Sequence, residues 1–430
     1  MAVTLDTLPA ELLLKVADNV EKRRDLFQLA SCSRRSYDIV IPRAYRSFCL
    51  PKASAWHTSA LLRAILLNPN LAQWVRELDI CLLDYAPVSG LWDECSSAKK
   101  FVPVPIDAQL LERAVSSASH SEEEKDQWLT DLKKAKADAY VALMLVQLVG
   151  LQKLTIRTLG DGSHCHKIIE RAAKGEKPFD KMDSRFPHLV EAKFLDLGHS
   201  RYFTSNKFIP LLHFRALRSI TAFAIFDDDE PWSEQAPSDI ENINLTGRVC
   251  VNGLQGLLQN CKNLKTFEYT HCYPGGPDTL DPKRLYSSLC TAKDTLVSVS
   301  IQSYQRRVDR LHCAFIGSFA EFKALTHLGL KVQYLHDVDG RSTVYTLLPR
   351  SLETLHLADA NGKCFDWLLT QLESWAENWK EYTPNLKKVS LETSGTVSKY
   401  MNCVIVDYIQ KWERGTGGQV GIVWNRMVQR

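Results

Sequence analysis

The side chains in this sequence that are best suited to chemistry form one short cluster, His164, Cys165 and His166. Imidazole nitrogens and thiolates are ligands that zinc prefers, but a structural zinc site needs four of them, usually from two separated halves. No second half accompanies this cluster, which we predict to lie in a polar loop after a strand at Leu154. We therefore expect no metal site here.

Other catalytic patterns do not occur in the sequence. It has no P-loop, no G-x-G-x-x-G, no G-x-S-x-G and no H-E-x-x-H. Trp367, Trp375 and Trp379 could line a ligand pocket, but the four-residue spacing of the last two favours packing inside a helical core. We predict that the protein is not an enzyme and binds no cofactor.

Composition excludes several classes of protein. The 53 basic and 50 acidic residues give a net charge of +3, which does not support binding of nucleic acid. No apolar run approaches the roughly 20 residues of a membrane span, so we expect no membrane association. The 12 cysteines are scattered without a C-x-x-C pair, and the chain starts without a signal peptide. Reduced thiols and a cytoplasmic and/or nuclear location are the expectation.

The elements that position any site begin with three predicted helices in the first fifty residues. Their apolar positions are Leu12, Val16 and Val20, flanked by Leu13 and Ala17, then Leu26, Leu29 and Ala30, then Tyr37 and Val40. Asp25 and Ser33 are the predicted N-caps of the second and third helices, and Pro42 is predicted to end the third. Three short helices cannot bury all these side chains among themselves, so some must meet another surface.

Residues 8–46 resemble an F-box. The segments LPAELLLKVADNV and DLFQLASCSRRSYDIV are followed by the pair Tyr45 and Arg46, in the order of that motif. The family often has Trp shortly after the third helix, where this chain has Tyr37 and Tyr45. The resemblance implies a three-helix F-box domain at residues 1–50 that docks on a Skp-type adaptor and, through it, on a cullin ubiquitin ligase.

The resemblance also implies which side chains would touch the adaptor. They are Leu8, Pro9, Leu12, Val16, Leu29, Cys32, Ser33 and Arg34. Two alternatives stay open at this point. Leu12, Val16 and Leu29 could be internal core, and the whole segment could be a helical cap on the repeats that follow it.

Behind this segment, the pattern apolar-x-x-apolar-x-apolar occurs ten times. Its copies begin at Tyr45, Val75, Leu151, Leu189, Leu217, Leu264, Leu296, Leu325, Leu352 and Leu386. The later copies are 27 to 34 residues apart, at or above the long end for leucine-rich repeats. The sequence thus predicts an α/β fold, in which residues 51–430 form an irregular leucine-rich-repeat solenoid. This arrangement resembles the horseshoe of the fungal-type F-box/leucine-rich-repeat family.

Two inserted segments interrupt the series, near 86–148 and 226–251. In the first, Ser121 and Glu124 predict a capping box that opens one long helix reaching Val146, preceded by a mobile loop over 116–124. The second carries the acidic run 227–230 and is predicted to be a surface loop. Helical return segments are predicted at 252–259, 282–290, 313–322 and 364–379, and a last strand at 420–424.

Residues between the core positions of each strand are predicted to face a common surface that holds a target protein. The predicted target-binding residues are Arg157, Glu268, Thr270, Gln302, Lys331, His356 and Glu392, with Asp79, Thr155 and Ser390 on the same face. The resemblance implies a substrate-recognition subunit of a Skp–cullin–F-box E3 ubiquitin ligase. The alternative is a repeat-based interaction scaffold without a role in ubiquitin transfer.

Overall fold

The structure, a computed structural model, describes residues 8–50, 55–82, 102–157, 163–180, 186–195, 203–204, 209–226, 237–248, 251–271, 280–303, 315–336, 343–359, 362–394 and 399–427. The predicted acidic run at 227–230 lies outside these residues. The chain divides into two compact units, residues 1–217 (unit 1) and 218–430 (unit 2).

Unit 1 opens with a head of three helices, α1 (Ala10–Asp18), α2 (Arg23–Ser31) and α3 (Arg34–Ala44). Its core consists of Leu13, Ala17, Leu26, Ala30, Val40, Ile41 and Ala44, with Leu71 from the chain that follows. The predicted cap of α3 is confirmed, because Ser33 Oγ accepts a hydrogen bond from the amide of Ser36 at 3.1 Å. Such a cap stabilises a helix by about 1 kcal/mol.

Three details of the head differ from prediction. Asp25 does not cap α2; it lies inside the first turn, where its charge favours the helix N-terminus, and the N-cap is Lys22. Pro42 does not end α3, since the helix continues to Ala44 and the amide of Tyr45 still bonds to the carbonyl of Ile41. Tyr37 is 41% exposed rather than buried.

The rest of unit 1 is built on a parallel sheet in the order β1 (Ser47–Leu50), β2 (Glu77–Cys81), β3 (Lys153–Arg157), β4 (Glu191–Leu195). Strand β1 begins three residues after α3 ends, as the spacing of Tyr45, Phe48 and Leu50 predicts. The helices are α4 (Ala55–Leu67), α5 (Ala108–Ala118), α6 (Glu122–Lys133), α7 (Ala137–Gln147) and α8 (His164–Lys174), and a two-residue strand, β5 (Phe203–Thr204), follows β4.

The long excursion between β2 and β3 is more helical than predicted. The predicted loop over 116–124 is wrong, because it covers the end of α5 and the start of α6. The predicted single helix is two helices, since Ala135 between them has φ +60°. The capping residue itself is confirmed: the amide of Glu124 donates to Ser121 Oγ at 3.2 Å. Helix propensity in the sequence did not reveal this break.

Unit 2 is an eight-stranded parallel sheet whose strands follow chain order. They are β6 (Ser219–Phe226), β7 (Asn242–Arg248), β8 (Thr266–His271), β9 (Ser298–Ser303), β10 (His327–Lys331), β11 (Thr354–Ala358), β12 (Lys388–Ser394) and β13 (Gly421–Met427). The helices are α9 (Val251–Asn260), α10 (Pro282–Leu289), α11 (Val332–Leu335), α12 (Gly362–Tyr382) and α13 (Lys399–Thr416).

All ten predicted apolar triplets lie on strands or directly before them, and each is buried except Tyr45, which is half-buried. The predicted last strand is confirmed as β13, paired with β12. The pattern missed β7, which lies inside the second predicted interruption. Its triplet, Ile240, Ile243 and Leu245, is fully buried. The interval from Leu217 to Leu264 is therefore two short repeats.

Helical return segments are confirmed at α9, α10 and α12. The predicted helix at 313–322 is wrong for the described residues 315–322, which have no helical structure and contain a turn at Ala320 and Glu321. Two of the three tryptophans of α12 are core residues, as expected: Trp375 is fully buried and Trp379 is 7% exposed, whereas Trp367 is half-buried. Trp375 also packs edge-on against Trp412 of α13, with ring centroids 5.3 Å apart.

One backbone motif recurs before the strands in both units. A single carbonyl oxygen accepts hydrogen bonds from the amides of two successive residues at the start of the next strand. Arg46 O, for example, accepts from the amides of Arg76 at 2.8 Å and Glu77 at 3.0 Å. The carbonyls of Arg76, Gln152, Arg218, Glu241, Lys265, Val297, Thr326 and Glu353 do the same. We call this shared-carbonyl contact the strand clamp; it fixes the register of each strand on its neighbour.

The histidine and cysteine cluster begins α8 rather than lying in a loop. His164 is 7% exposed, stacks on Trp128 at 4.8 Å, and its Nε2 lies 3.1 Å from Asp131 Oδ2. Lys136 Nζ lies 2.8 Å from the other carboxylate oxygen. Burial alone would raise the pKa of Asp131, but hydrogen bonds from Lys136, Gln127 and His164 outweigh it and lower that pKa to about 2.

The first prediction concerns this carboxylate. Because its folded-state pKa lies below the unfolded value of about 3.9, its charge stabilises the fold above that pH, and the contribution is lost as pH falls toward 2. We expect Asp131→Asn to lower the free energy of unfolding by about 2 kcal/mol at neutral pH, and by less at pH 3. Denaturant titrations at both pH values measure this. Asp126→Asn, at an exposed position of the same helix, is the control; a pH-independent difference for Asp131→Asn contradicts the account.

The second prediction concerns the end of unit 2. Trp412 is 2% exposed and its Nε1 donates to the carbonyl of Val420 at 3.0 Å, so it joins α13 to the last strand. Trp412→Ala should lower the free energy of unfolding by about 3–5 kcal/mol, as for other buried aromatic side chains. Thermal and denaturant unfolding measure the effect. Trp56→Ala removes a tryptophan that is 45% exposed and should change little; equal effects would mean that burial of Trp412 is not the cause.

Candidate functional site

The head presents an exposed apolar surface on α1. Leu12 and Leu14 are each 45% exposed and Val16 is 39% exposed, whereas Leu13 and Ala17 are buried in the head core. Leu12 and Val16 are four residues apart and therefore share one side of the helix. The helix thus has a second apolar side that the described chain leaves open to solvent.

In the structure, some of the predicted adaptor-binding residues are exposed and the others are half-buried. Pro9, Leu12, Val16, Cys32 and Arg34 are exposed, whereas Leu8, Leu29 and Ser33 are half-buried. The alternative of an internal role does not hold for Leu12 and Val16. It does describe Leu29, which packs against the head core. Contact of these residues with an adaptor stays a prediction.

A hydrogen bond from α3 holds the first and the last of the predicted adaptor-binding residues close together. Arg35 Nη2 donates to the carbonyl of Leu8 at 2.6 Å, which ties the residue before α1 to the first turn of α3. Ser33 uses its hydroxyl to cap α3, and Cys32 Sγ contacts the carbonyl of Gln28 at 3.3 Å. The arrangement holds the start of α1 beside the start of α3, so that Leu8 and Pro9 lie near the turn containing Cys32 to Arg34.

Aromatic contacts join the head to the first strand. The rings of Phe27 and Tyr45 lie 5.5 Å apart, those of Tyr45 and Phe48 5.6 Å apart, and the Arg23 guanidinium lies 3.9 Å above the Phe48 ring. Burial raises the pKa of Tyr45 and lowers that of Arg23. The head therefore packs on β1, as the spacing of the sequence predicts.

In unit 1, the outward side of the strands carries a bidentate ion pair. Arg157 donates from Nε to Asp79 Oδ1 at 3.1 Å and from Nη2 to Oδ2 at 3.0 Å. The hydrogen bonds that Arg157 donates to Asp79 raise the pKa of Arg157. Cys49, on the neighbouring strand, lies 3.9 Å from the same carboxylate, and burial raises its pKa. The guanidinium of Arg157 is thus already engaged by Asp79.

In unit 2, the remaining predicted target residues lie on strand surfaces but are partly tied to neighbours. Glu268 accepts from Asn244 Nδ2 at 2.6 Å, and His356 Nε2 lies 3.2 Å from Glu392 Oε2. Thr270 and Gln302 face each other across β8 and β9. These side chains are either exposed or half-buried, as expected for a strand face.

Lys331 differs from this expectation. It is 4% exposed, and its Nζ lies 2.6 Å from Asp359 Oδ2, just after β11. An ammonium group that is buried and paired cannot reach a partner without breaking this contact. The alternation of inward and outward side chains along a strand predicts that Lys331 is exposed. The ion pair with Asp359 of the next repeat keeps its side chain buried instead.

A shallow depression of about 330 Å³ lies on the outward face of β9 to β12. Its lining comprises Ser298, Val299, Ser300, His327, Leu328, Gly329, Thr354, Leu355, His356, Lys388 and Ser390. The alternation of the strands predicted His356 and Ser390 on this face, but not the small residues at the same position of the preceding strands. Ser300 in LVSVSI and Gly329 in LTHLGL were the available signal, because each stands between the last two apolar residues of its triplet.

Gly329 creates the floor of this depression. A Cβ atom at this position would lie 3.1 Å from Ser300 Oγ, so even alanine is tight and a larger side chain would fill the space. Its register partners on the two neighbouring strands are Ser300 and His356. These residues form a row across the sheet, Ser300, Gly329, His356 and Ser390. Because Gly329 has no side chain, the row has a gap between Ser300 and His356.

Neither a metal-binding cluster nor a membrane-spanning helix occurs among the described residues. No group of three or more His, Cys, Asp or Glu side chains there is arranged to hold a metal ion. No helix in the same ranges is long and apolar enough to cross a membrane.

A family model described as a leucine-rich repeat domain matches residues 52–403, which is most of the chain and begins directly after the head. Among curated proteins, none matches the chain significantly. The family carries the parallel strands and return helices described above, and it indicates a role in protein–protein interaction.

The third prediction tests the two sides of α1. Leu13→Asp places a carboxylate in the head core and should lower the free energy of unfolding by about 2 kcal/mol or more. Leu12→Asp should change it by less than about 1 kcal/mol, because Leu12 is exposed. Denaturant unfolding of both variants provides the comparison. Equal destabilisation would show that Leu12 is part of the core.

Proposed function

The chain belongs to the leucine-rich repeat domain family, and from this premise we propose that it is a non-catalytic substrate-recognition subunit of a Skp–cullin–F-box E3 ubiquitin ligase. The repeats hold a target protein, and the head docks on the Skp-type adaptor, which connects to a cullin. The strand faces of the repeats, rich in exposed polar side chains, suit the first role.

One observation carries the second role: α1 exposes Leu12 and Val16 although Leu13 and Ala17 already fill the head core. An apolar surface that the head does not cover is typical of a site for a protein partner. Pro9, Cys32 and Arg34 are exposed in the same head and belong to the set that the F-box resemblance implies.

The mechanism of such a subunit is positioning. The ligase transfers ubiquitin, and this chain raises the effective concentration of target lysines near the activated ubiquitin by binding both at once. No residue of the chain needs to act as acid, base or nucleophile. An adaptor and cullin of this class place the protein in the cytoplasm and/or nucleus, without nucleic acid or membrane as partner.

A second candidate is an interaction scaffold that uses the repeats but takes no part in ubiquitin transfer. The observation that favours it is the family match itself, which covers residues 52–403 and leaves the head outside. In this case, the exposed side of α1 would serve another protein. Binding to the adaptor separates the two functions directly.

The fourth prediction makes this test. Leu12→Asp with Val16→Asp should weaken binding of the full chain to a purified Skp-type adaptor by at least about 100-fold. Each unpaired carboxylate buried at the interface costs about 2 kcal/mol or more, and 1.4 kcal/mol corresponds to tenfold in affinity. Calorimetric titration measures the affinity.

Val406→Asp is the matched control, because Val406 is an exposed valine of α13 in unit 2 and is 53% exposed. It should bind the adaptor as the wild type does. If the wild type does not bind the adaptor, or if the double variant binds it equally well, the ligase function is rejected and the scaffold function remains.

A further inference from the structure

We infer that the depression on β9 to β12 of unit 2 binds an anionic side chain, carrying carboxylate or phosphate oxygens, in a peptide segment of the target. The inference rests on the proposed function, in that the repeats hold a target. It goes further by naming the chemical group that is recognised and the residues that recognise it.

The polar lining of the depression consists of hydrogen-bond donors. Ser298, Ser300, Thr354 and Ser390 contribute hydroxyl groups, His327 and His356 contribute imidazoles, and Lys388 contributes an ammonium group. No carboxylate is among these lining side chains. Hydroxyl and ammonium donors that converge on one space suit an oxygen-rich anion, because hydrogen bonds to a charged acceptor are stronger than those between neutral groups.

Lys388 is the fixed positive charge of the site. It lies exposed on β12, in register with Thr354 on β11, and none of the described carboxylates forms an ion pair with it. Its neighbour in the sequence, Lys387, is by contrast paired with Glu353 at 2.7 Å. The ammonium of Lys388 is thus available for a ligand on the side of the sheet that carries the depression.

Two carboxylates define the limits of the site. Glu392 lies 3.2 Å from His356 and engages one ring nitrogen of that histidine. Glu268 is in register with Ser300 on the adjacent strand β8 and would repel an anion placed there. The favourable region is therefore the middle of the depression, over Gly329 and toward Lys388, rather than its border with β8.

The same geometry explains why the described side chains leave the middle of the depression open. Gly329 has none, and the lysine two residues later, Lys331, is held by Asp359 instead of lying across the surface. The space, about 330 Å³, is at the lower end of the range for small-molecule sites, so it fits one or two side chains of a peptide.

The experiment uses the full chain and fluorescent nine-residue peptide pools. Each pool has randomised flanks and one fixed central residue: phosphoserine, glutamate, glutamine or lysine. Fluorescence anisotropy should show that the wild type binds the phosphoserine pool, the glutamate pool or both about tenfold more tightly than the glutamine pool, and the lysine pool most weakly. The first two pools distinguish phosphate from carboxylate as the source of the anion.

Lys388→Glu should abolish the preference for the anionic pools, and Gly329→Leu should weaken binding of all pools by filling the depression. The matched control is Lys262→Glu, which makes the same charge change at an exposed turn position before β8 and should keep the preference. Because Lys388 is exposed, its variant tests the site even if Gly329→Leu fails to fold.

The inference is overturned if the wild type shows no preference among the pools, or if the preference survives in Lys388→Glu. Neither result depends on the adaptor, which is left out of these titrations. Loss of adaptor binding in the head variants and loss of anion preference in the depression variants are therefore separate outcomes, and either proposal can fail alone.

Discussion

The strand clamp is the contact on which the rest of the structure depends. At nine of the described strands, one carbonyl accepts hydrogen bonds from two successive amides at the start of the strand, as Lys265 O does from Val297 at 2.8 Å and Ser298 at 3.0 Å. Two bonds at one end of a short strand fix its register, and register decides which side chains face the core. The buried triplets and the outward rows, including the row through Gly329, follow from this single contact.

The sequence revealed the strands well because their signal is local. A triplet such as Leu264, Phe267 and Tyr269 needs to face only one core, so its spacing is strict. The missed strand β7 has an equally good triplet, but the acidic and proline-rich run before it led to a loop interpretation. The composition of a return segment therefore does not predict whether a strand follows it.

What the sequence could not reveal depends on contacts distant in the chain. The break between α6 and α7 lies at Ala135, where φ is +60°, although alanine and the lysines on either side of it have high helix propensity. The alternation of the strand predicts an exposed side chain at Lys331, but its ion pair with Asp359 keeps it buried. The depression arises from small residues on separate strands, Ser300, Gly329 and Ser390, whose alignment exists only once the register is set. By contrast, the four-residue spacing of Leu12 and Val16 places them on one side of α1 from the sequence alone, although the sequence left open whether that side is internal.

The strand clamp also makes the pairing of the strands independent of the length of the return segments between them. Successive clamp carbonyls are 23 residues apart at Arg218 and Glu241, yet 76 apart at Arg76 and Gln152, and the strands on both sides pair in the same way. Insertions and deletions in the return segments thus leave the pattern of the sheet unchanged, whereas one extra residue between a clamp and its triplet would reverse every side chain of that strand. Such a chain can gain or lose whole helices during evolution while its recognition surface changes only by substitution.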